Sequence, residues 1–148
     1  MTGVKSELGP TALTVAANVR RHRDRVGWGY ARLARELTGL GRDIPSLGLS
    51  RIESGERRVD TDDLTALAVA FGVSPITLLM PQGDGPEHSV QLTGTAAVPG
   101  PRVWSWLNGS YPLTGSVLTF YNHALPEWER NRLEALLGDH AGDAAIPS

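Results

Sequence analysis

Glycine and proline interrupt the first 81 residues at short intervals, and these interruptions restrict what the chain can fold into. Proline is accepted in the first turn of a helix or beyond its end, and glycine supplies the left-handed residue that ends one. The interruptions that matter most are Gly27, Pro45, Gly55, Gly72, Pro75 and Pro81. The first half of the chain is therefore predicted to form short helices joined by tight turns.

Apolar residues recur at helical spacing between these interruptions and predict five helices. The first covers residues 11–26, the second begins at Tyr30, and the third covers residues 45–54. Asp60 is expected to cap a fourth helix, because an acidic residue follows three positions later as in a capping box. A short fifth helix starts at Pro75 and ends before the next proline.

The composition changes after the fifth helix. Proline and glycine are concentrated in residues 82–88, which predicts a linker. Residues 89–138 then predict a small, mostly helical segment with one or two short strands. The expected elements are a strand in "SVQLTG", a proline-started helix in "PGPRVWSWLNG" and a longer helix over residues 126–137. Residues 139–148 are predicted to be a frayed tail.

Basic residues are concentrated in one part of the chain, although the formal net charge is -2. Between Arg20 and Arg58 there are 10 basic and 5 acidic residues, whereas the 68 residues after Met80 have 3 and 7. All but one of the 14 basic residues are arginines, whose planar, forked donors suit phosphates and guanine edges. The stretch from Arg20 to Arg58 is thus predicted to face an anionic partner.

Several kinds of chemistry are excluded by what the chain lacks. Without cysteine there is no disulfide, thiolate metal site or cysteine nucleophile. The histidines have no spacing typical of a helical metal site; they are His22, His88, His123 and His140. No signal peptide and no run of about 18 apolar residues is present. We therefore expect a cytoplasmic protein that does not enter membranes, is not an enzyme and uses no metal or cofactor.

Three stretches occur in a specific order: "GWGYARLARELTGLG", "LSRIESGERR" and "DLTALAVAFGVSPITLLMP". In this order they resemble the Cro and lambda-repressor (XRE-like) helix-turn-helix family, in the version common in actinobacterial regulators and their phages and prophages. The resemblance implies a mainly α chain with a five-helix DNA-binding domain at residues 11–81. It also implies a phage-type repressor that binds double-stranded operator DNA with its third helix in the major groove and so occludes promoters.

The resemblance assigns roles to individual side chains around the third helix. Base edges would be contacted by Ser46, Leu47, Ser50 and Arg51. Arg51 is the first choice for sequence discrimination, because an arginine can donate two hydrogen bonds to O6 and N7 of a guanine. Phosphate oxygens would be contacted by Tyr30, Arg32, Ser54, Arg57 and Arg58. Arg42 lies in a stretch that the family pattern lacks and is a further candidate for a phosphate contact.

One acidic side chain of the motif is expected to face inward. By resemblance, Glu53 would pair with Arg23 of the first helix, since phosphate would repel a carboxylate. Such a pair would fix the two helices relative to each other. Gly48 costs a helix about 1 kcal/mol relative to alanine, which suggests that the second helix or the DNA comes close to it.

The chain departs from the family pattern at two places. Tyr30 stands where a glutamine is usual, and its hydroxyl can still donate to a phosphate. Between Leu37 and Ile44 the chain is longer than the usual pattern. The additional residues, which include Gly39, Gly41 and Arg42, either extend the second helix or form a small loop.

The second half leaves two functions open. It contains no lysine, so self-cleavage by a serine and lysine pair is excluded. Its aromatic residues predict either a small core or an exposed patch for dimerisation, a ligand or a protein partner; they are Trp104, Trp106, Tyr111, Phe120, Tyr121 and Trp128. The alternative function is an antitoxin-like protein that binds a partner through this half and regulates its own operon. A homodimer on paired half-sites and a monomer on an asymmetric site are both compatible with the sequence.

Overall fold

The computed structural model describes the backbone of residues 7–141 and the side chains as far as residue 138. The first six residues and residues 142–148, which include most of the predicted tail, lie outside the described residues. Within the described range the chain is mainly helical, as expected, with eight helices and one two-stranded antiparallel sheet. None of these helices combines the length and the apolar character needed to cross a lipid bilayer.

Five helices come first and are followed by a mixed segment. The five are α1 (Pro10–Val26), α2 (Tyr30–Gly39), α3 (Ser46–Glu53), α4 (Thr61–Phe71) and α5 (Pro75–Leu79). The sheet consists of β1 (Ser89–Val90) and β2 (Val98–Pro99), with Ser89 opposite Pro99 and Val90 opposite Val98. The remaining helices are α6 (Gly100–Leu107), α7 (Val117–Ala124) and α8 (Glu127–Ala141).

The ends of the first helices follow from local chemistry. Gly27 after α1 and Gly72 after α4 are left-handed, with φ of 71° and 67°, and their N–H groups donate to carbonyls of the preceding turn. Gly55 after α3 is also left-handed, with φ of 77°. Asp60 caps α4 by accepting from the backbone N–H of Asp63, and the Asp63 side chain accepts from the N–H of Asp60. This capping box was expected from the sequence.

The connection between α2 and α3 is a loop. Helix α2 ends at Gly39, and the N–H groups of Leu40, Gly41 and Arg42 donate to carbonyls of its last turns. The residues between Leu37 and Ile44 therefore extend α2 as far as Gly39 and form a loop from there on. Pro45 has an extended conformation and precedes α3, so the helix begins at Ser46. The sequence had suggested a start at the proline, and that prediction was wrong by one residue.

Helices α1 to α5 surround one hydrophobic core. Each of the five contributes buried apolar side chains, and the loop before α3 adds Ile44; the main ones are Val19, Leu33, Leu37, Leu49, Ile52, Leu67, Phe71 and Leu78. The polar side chain of Asn18 is also buried there. The amide nitrogen of Asn18 donates to the carbonyls of Leu78 and Met80, which lie at the end of α5. This contact connects α1 to the last helix of the domain.

The second half has a much smaller core. Val90, Leu92 and Val103 are buried together, with Met80 and Leu107 packed against them. This cluster joins α1 through Thr11 and Thr93, because the backbone N–H of each donates to the side-chain oxygen of the other. Helix α7 has no buried residue and was not predicted. A second short strand was allowed for in this segment, but the position of β2 was not predicted.

Candidate nucleic-acid interface

Helix α3 has one buried side and one exposed side. Its buried residues are Gly48, Leu49 and Ile52, which face the core. The side chain of Leu47 is 61% exposed and is therefore available for apolar contact with another molecule. The four residues predicted to contact bases occupy this other side; Ser46, Leu47 and Arg51 are exposed and Ser50 is half-buried.

Arg51 has an exposed guanidinium without an ion pair among the residues that the structure describes. Its backbone carbonyl accepts hydrogen bonds from the N–H groups of Glu56 and Arg57 in the following turn. Neither Glu53, which pairs with Arg23, nor Glu56 forms an ion pair with Arg51 in the described part of the chain. All the donors of the Arg51 side chain remain available to an external acceptor.

Glu53 is turned away from that surface and toward α1. Its side chain is 4% exposed and accepts from Nε of Arg23 at 2.7 Å and from Nη2 of Arg23 at 3.1 Å. The third nitrogen of the guanidinium donates to the carbonyl of Trp28 at 2.8 Å. The hydrogen bond to Glu53 raises the pKa of Arg23. The inward ion pair expected from the sequence is thus present in the structure.

Tyr30 belongs to the same cluster. Its hydroxyl donates to Oε2 of Glu53 at 2.5 Å, and its ring lies 4.4 Å from the guanidinium carbon of Arg23. The hydrogen bond to Glu53 raises the pKa of Tyr30. A phenol has one hydroxyl hydrogen, so Tyr30 would have to release Glu53 before it could donate to a phosphate.

Three of the predicted phosphate contacts lie on the exposed surface near α3. Nε of Arg32 donates to Glu36 at 2.7 Å, and its guanidinium carbon lies 5.4 Å from the ring of Trp28. The hydroxyl of Ser54 lies 3.1 Å from Oε1 of Glu56. Arg58 donates from Nη2 to the carbonyl of Glu7 at 3.1 Å. A surface contact of this kind is weak and can be exchanged for a phosphate.

The other two predicted phosphate contacts point toward α4. Arg42, in the loop after α2, donates from Nε to Oδ1 of Asp63 and from Nη2 to Oδ2 of Asp60, each at 2.8 Å. The hydrogen bond to Asp63 raises the pKa of Arg42, and the N–H of Asp63 lowers the pKa of Asp60. Arg57 donates from Nη2 to Oδ2 of Asp63 at 3.4 Å.

The side chain of Arg57 lies close to Gly48 and accounts for a glycine at this position of α3. A Cβ atom built on Gly48 would lie 2.6 Å from Nη1 of Arg57, well inside van der Waals contact. The sequence had suggested that α2 or DNA approaches this glycine. In the structure the close neighbour is an arginine side chain that returns from the turn after α3.

Asp63 is the residue of this site that the sequence did not single out beyond its place in the capping box. Its side chain is buried, and it accepts from both Arg42 and Arg57. The available signal was an acidic residue in the first turn of α4, three positions after the N-cap. No cluster of three or more metal-binding side chains occurs among the described residues.

The second half exposes most of its large apolar side chains. Trp104 is 42% exposed, Trp128 is 70% exposed and Leu118 is 71% exposed. Trp106, Tyr111, Leu136 and Leu137 are exposed as well. Of the two arrangements that the sequence left open for the aromatic residues, an exposed surface describes these tryptophans better than a core.

Part of the chain is similar to a solved structure. No protein-family model and no curated protein matches the chain. A hypothetical transcription factor from Neisseria, known from its crystal structure, is 26% identical, with a TM-score of 0.43. The match covers 55% of this chain and 91% of the other. This is a partial likeness, and the function proposed below rests on the geometry of α3 and its neighbours.

Proposed function

We propose that the protein is a sequence-specific DNA-binding transcription regulator that acts as a repressor of the phage or prophage type. The observation that carries this proposal is the outward side of α3, where Arg51, beside Ser46 and Leu47, has no side-chain partner among the described residues. A short helix with a free arginine and small or apolar neighbours suits the major groove, where guanine offers two acceptors and thymine a methyl group.

The electrostatics of the first half support the same proposal. The basic residues between Arg20 and Arg58 outnumber the acidic ones, and the acidic Glu53 is neutralised internally by Arg23. A phosphate backbone near α3 would therefore meet exposed arginines such as Arg32, and it would not meet the carboxylate of Glu53. Binding of this kind weakens as the salt concentration rises, because the contacts displace counterions.

Selection of duplexes from a random DNA pool by the full-length protein tests the proposal. The expected result is a defined enriched sequence, which footprinting then locates in genomic DNA. A symmetric footprint with half-sites about one helical turn apart would indicate a homodimer. A single asymmetric footprint would indicate a monomer. If no sequence is enriched over a shuffled duplex at any salt concentration, the proposed function is wrong.

A second candidate function is binding of a protein partner through the second half, as in an antitoxin. The supporting observation is the exposure of Trp104, Trp128 and Leu118 in a segment without basic clustering. Aromatic residues on a surface are enriched at protein interfaces. Affinity purification of the full-length protein in parallel with Trp128→Ser tests this function. It predicts a protein that is lost from the variant while DNA binding is kept, and equal recovery from both samples would contradict it.

A further inference from the structure

One buried carboxylate joins the two segments that flank α3. Asp63 lies in the first turn of α4 and is 1% exposed. Its Oδ1 accepts from Arg42 at 2.8 Å, and its Oδ2 accepts from Arg57 at 3.4 Å. Arg42 precedes α3 in the chain and Arg57 follows it. Both connections of α3 are thus attached to the same group on α4.

Each of the two arginines makes a second contact that restricts its position. Nη2 of Arg42 donates to Asp60, the residue that caps α4. Nη1 of Arg57 lies against the backbone of Gly48 in the first turn of α3. Arg57 therefore extends from the end of α3 back to its beginning. The Asp63 carboxylate also accepts a hydrogen bond at Oδ2 from the backbone N–H of Asp60 at 3.4 Å, so three nitrogens donate to it.

Removal of either arginine would leave the buried Asp63 carboxylate with one charged donor fewer. Breaking an ion pair at the surface has a smaller free-energy cost, because water replaces the lost donor. A buried carboxylate that loses a charged donor keeps its full desolvation penalty but loses part of the interaction that offsets it. A phosphate contact by Arg42 or Arg57 would require this loss. By contrast, Arg51 and Arg32 can reach an external anion without uncovering a buried charge.

We propose, on the basis of the proposed DNA-binding function, that Arg42 and Arg57 are positioning residues which hold α3 through Asp63 in the orientation needed for sequence discrimination. They do not neutralise phosphate. Asp63 therefore determines specificity without touching DNA. The expectation from the sequence that both arginines contact phosphate is replaced by this role.

Lysine substitutions separate positioning from phosphate binding. Arg42→Lys and Arg57→Lys keep the charge but lack the forked donor geometry. Two probes are used with the full-length protein: the duplex that the wild type enriches from a random pool, and a shuffled duplex of equal length and composition. We expect the ratio of the two affinities to fall about ten-fold or more for a lost positioning contact, which corresponds to about 1.4 kcal/mol. Affinity for the shuffled duplex stays at the wild-type value.

Binding of Asp63→Asn to the two duplexes distinguishes a charge effect of Asp63 from a positioning effect. If Asp63 acted only through its charge, its removal would strengthen binding to both duplexes. Positioning instead predicts that discrimination is lost. Arg35→Lys is the matched control, because Arg35 is exposed on α2 and its substitution should leave the ratio unchanged.

Salt dependence gives the result that would overturn the proposal. A lost phosphate contact lowers the slope of log affinity against log salt by about 0.9. If Arg42→Gln and Arg57→Gln lower this slope while the two lysine variants discriminate like the wild type, both residues contact phosphate and the proposal is wrong. An unchanged slope in the glutamine variants supports positioning.

Amide hydrogen exchange tests the same proposal without DNA. Asp63→Asn and Arg57→Lys should accelerate exchange in α3 at least ten-fold, while amides in the middle of α1 keep wild-type rates. Uniform acceleration would show that the cluster only contributes to global stability, and would contradict positioning. If Asp63→Asn does not fold, the two lysine variants decide. Absence of sequence selection by the wild type would refute the DNA-binding function, whereas the exchange rates would still decide the role of Asp63.

Discussion

Arg23 of α1 and Glu53 of α3 form a buried ion pair with two hydrogen bonds, at 2.7 and 3.1 Å. Their side chains are 13% and 4% exposed. Tyr30, at the start of α2, donates to the same carboxylate, so three helices meet at Glu53. This contact holds the last residue of α3 on the inside of the domain and leaves the side with Arg51 free.

Arg23→Leu is expected to destabilise the protein by about 3–5 kcal/mol, because it leaves the Glu53 carboxylate buried without its charged partner. Unfolding by urea, followed by circular dichroism, measures this change. The double variant Arg23→Leu/Glu53→Leu is the control and should recover most of the loss, since it removes both charges. A double variant as unstable as the single one would show that the loss comes from packing and not from the uncompensated charge.

Arg51→Ala should reduce discrimination at one base pair by about 1–3 kcal/mol, the usual contribution of a bidentate arginine and guanine contact. Competition binding against single-base variants of the selected duplex measures this change. Arg20→Ala, in an exposed residue of α1, provides a control that should not alter base preference. Equal weakening of every sequence, with only a lower salt slope, would assign Arg51 to the phosphate backbone.

His22 should make folding sensitive to acid. Its ring is 4% exposed and stacks on Phe71 at 5.8 Å, and its buried Nδ1 has no hydrogen-bond partner in the described part of the chain. Burial, and then the charges of Arg21 and Arg25, lower the pKa of His22 below 6.5. The unfolded chain therefore binds this proton more readily than the folded one, so stability should be highest above pH 6.5 and decrease as pH falls toward the lowered pKa.

Urea unfolding at several values between about pH 7 and pH 5 tests this expectation. The variant His22→Leu should lose less stability across this interval than the wild type. His88→Gln serves as the matched control, because His88 is exposed and its removal should keep the wild-type pH dependence. The same loss in His22→Leu and in the wild type would mean that other groups cause the acid sensitivity.

Trp128→Ser and Val103→Ala should differ in their effect on stability. Trp128 is 70% exposed, so we expect its substitution to change the free energy of unfolding by less than about 0.5 kcal/mol. Val103 is fully buried beside β1, and loss of its two methyl groups should cost about 1–3 kcal/mol. Thermal unfolding of both variants measures the difference. A large loss for Trp128→Ser would mean that the tryptophan is buried in solution.

The sequence predicted the first five helices well because their ends depend on neighbouring residues. Gly27 and Gly72 supply left-handed stops, and Asp60 caps α4 with a residue three positions away. Helix α7 was missed although its apolar residues recur at helical spacing, at positions 117, 120, 121 and 124. The helix has only eight residues and none of them is buried, and a period over so short a stretch leaves the choice between helix and loop open.

The sequence alone determined the bounds of the helices in the first half to within one residue, that α3 would present a face containing Arg51, and that Glu53 would need an internal partner. Only the tertiary structure decided which arginines stay available to another molecule. Arg42 and Asp63 are 21 positions apart, and Arg57 reaches Asp63 only because the turn after α3 directs it back across Gly48. The sequence does not distinguish these arginines from one another, because composition and spacing are similar for all of them. In the folded chain, contacts between distant segments engage Arg42 and Arg57 with a buried carboxylate, whereas Arg51 has no such contact among the described residues.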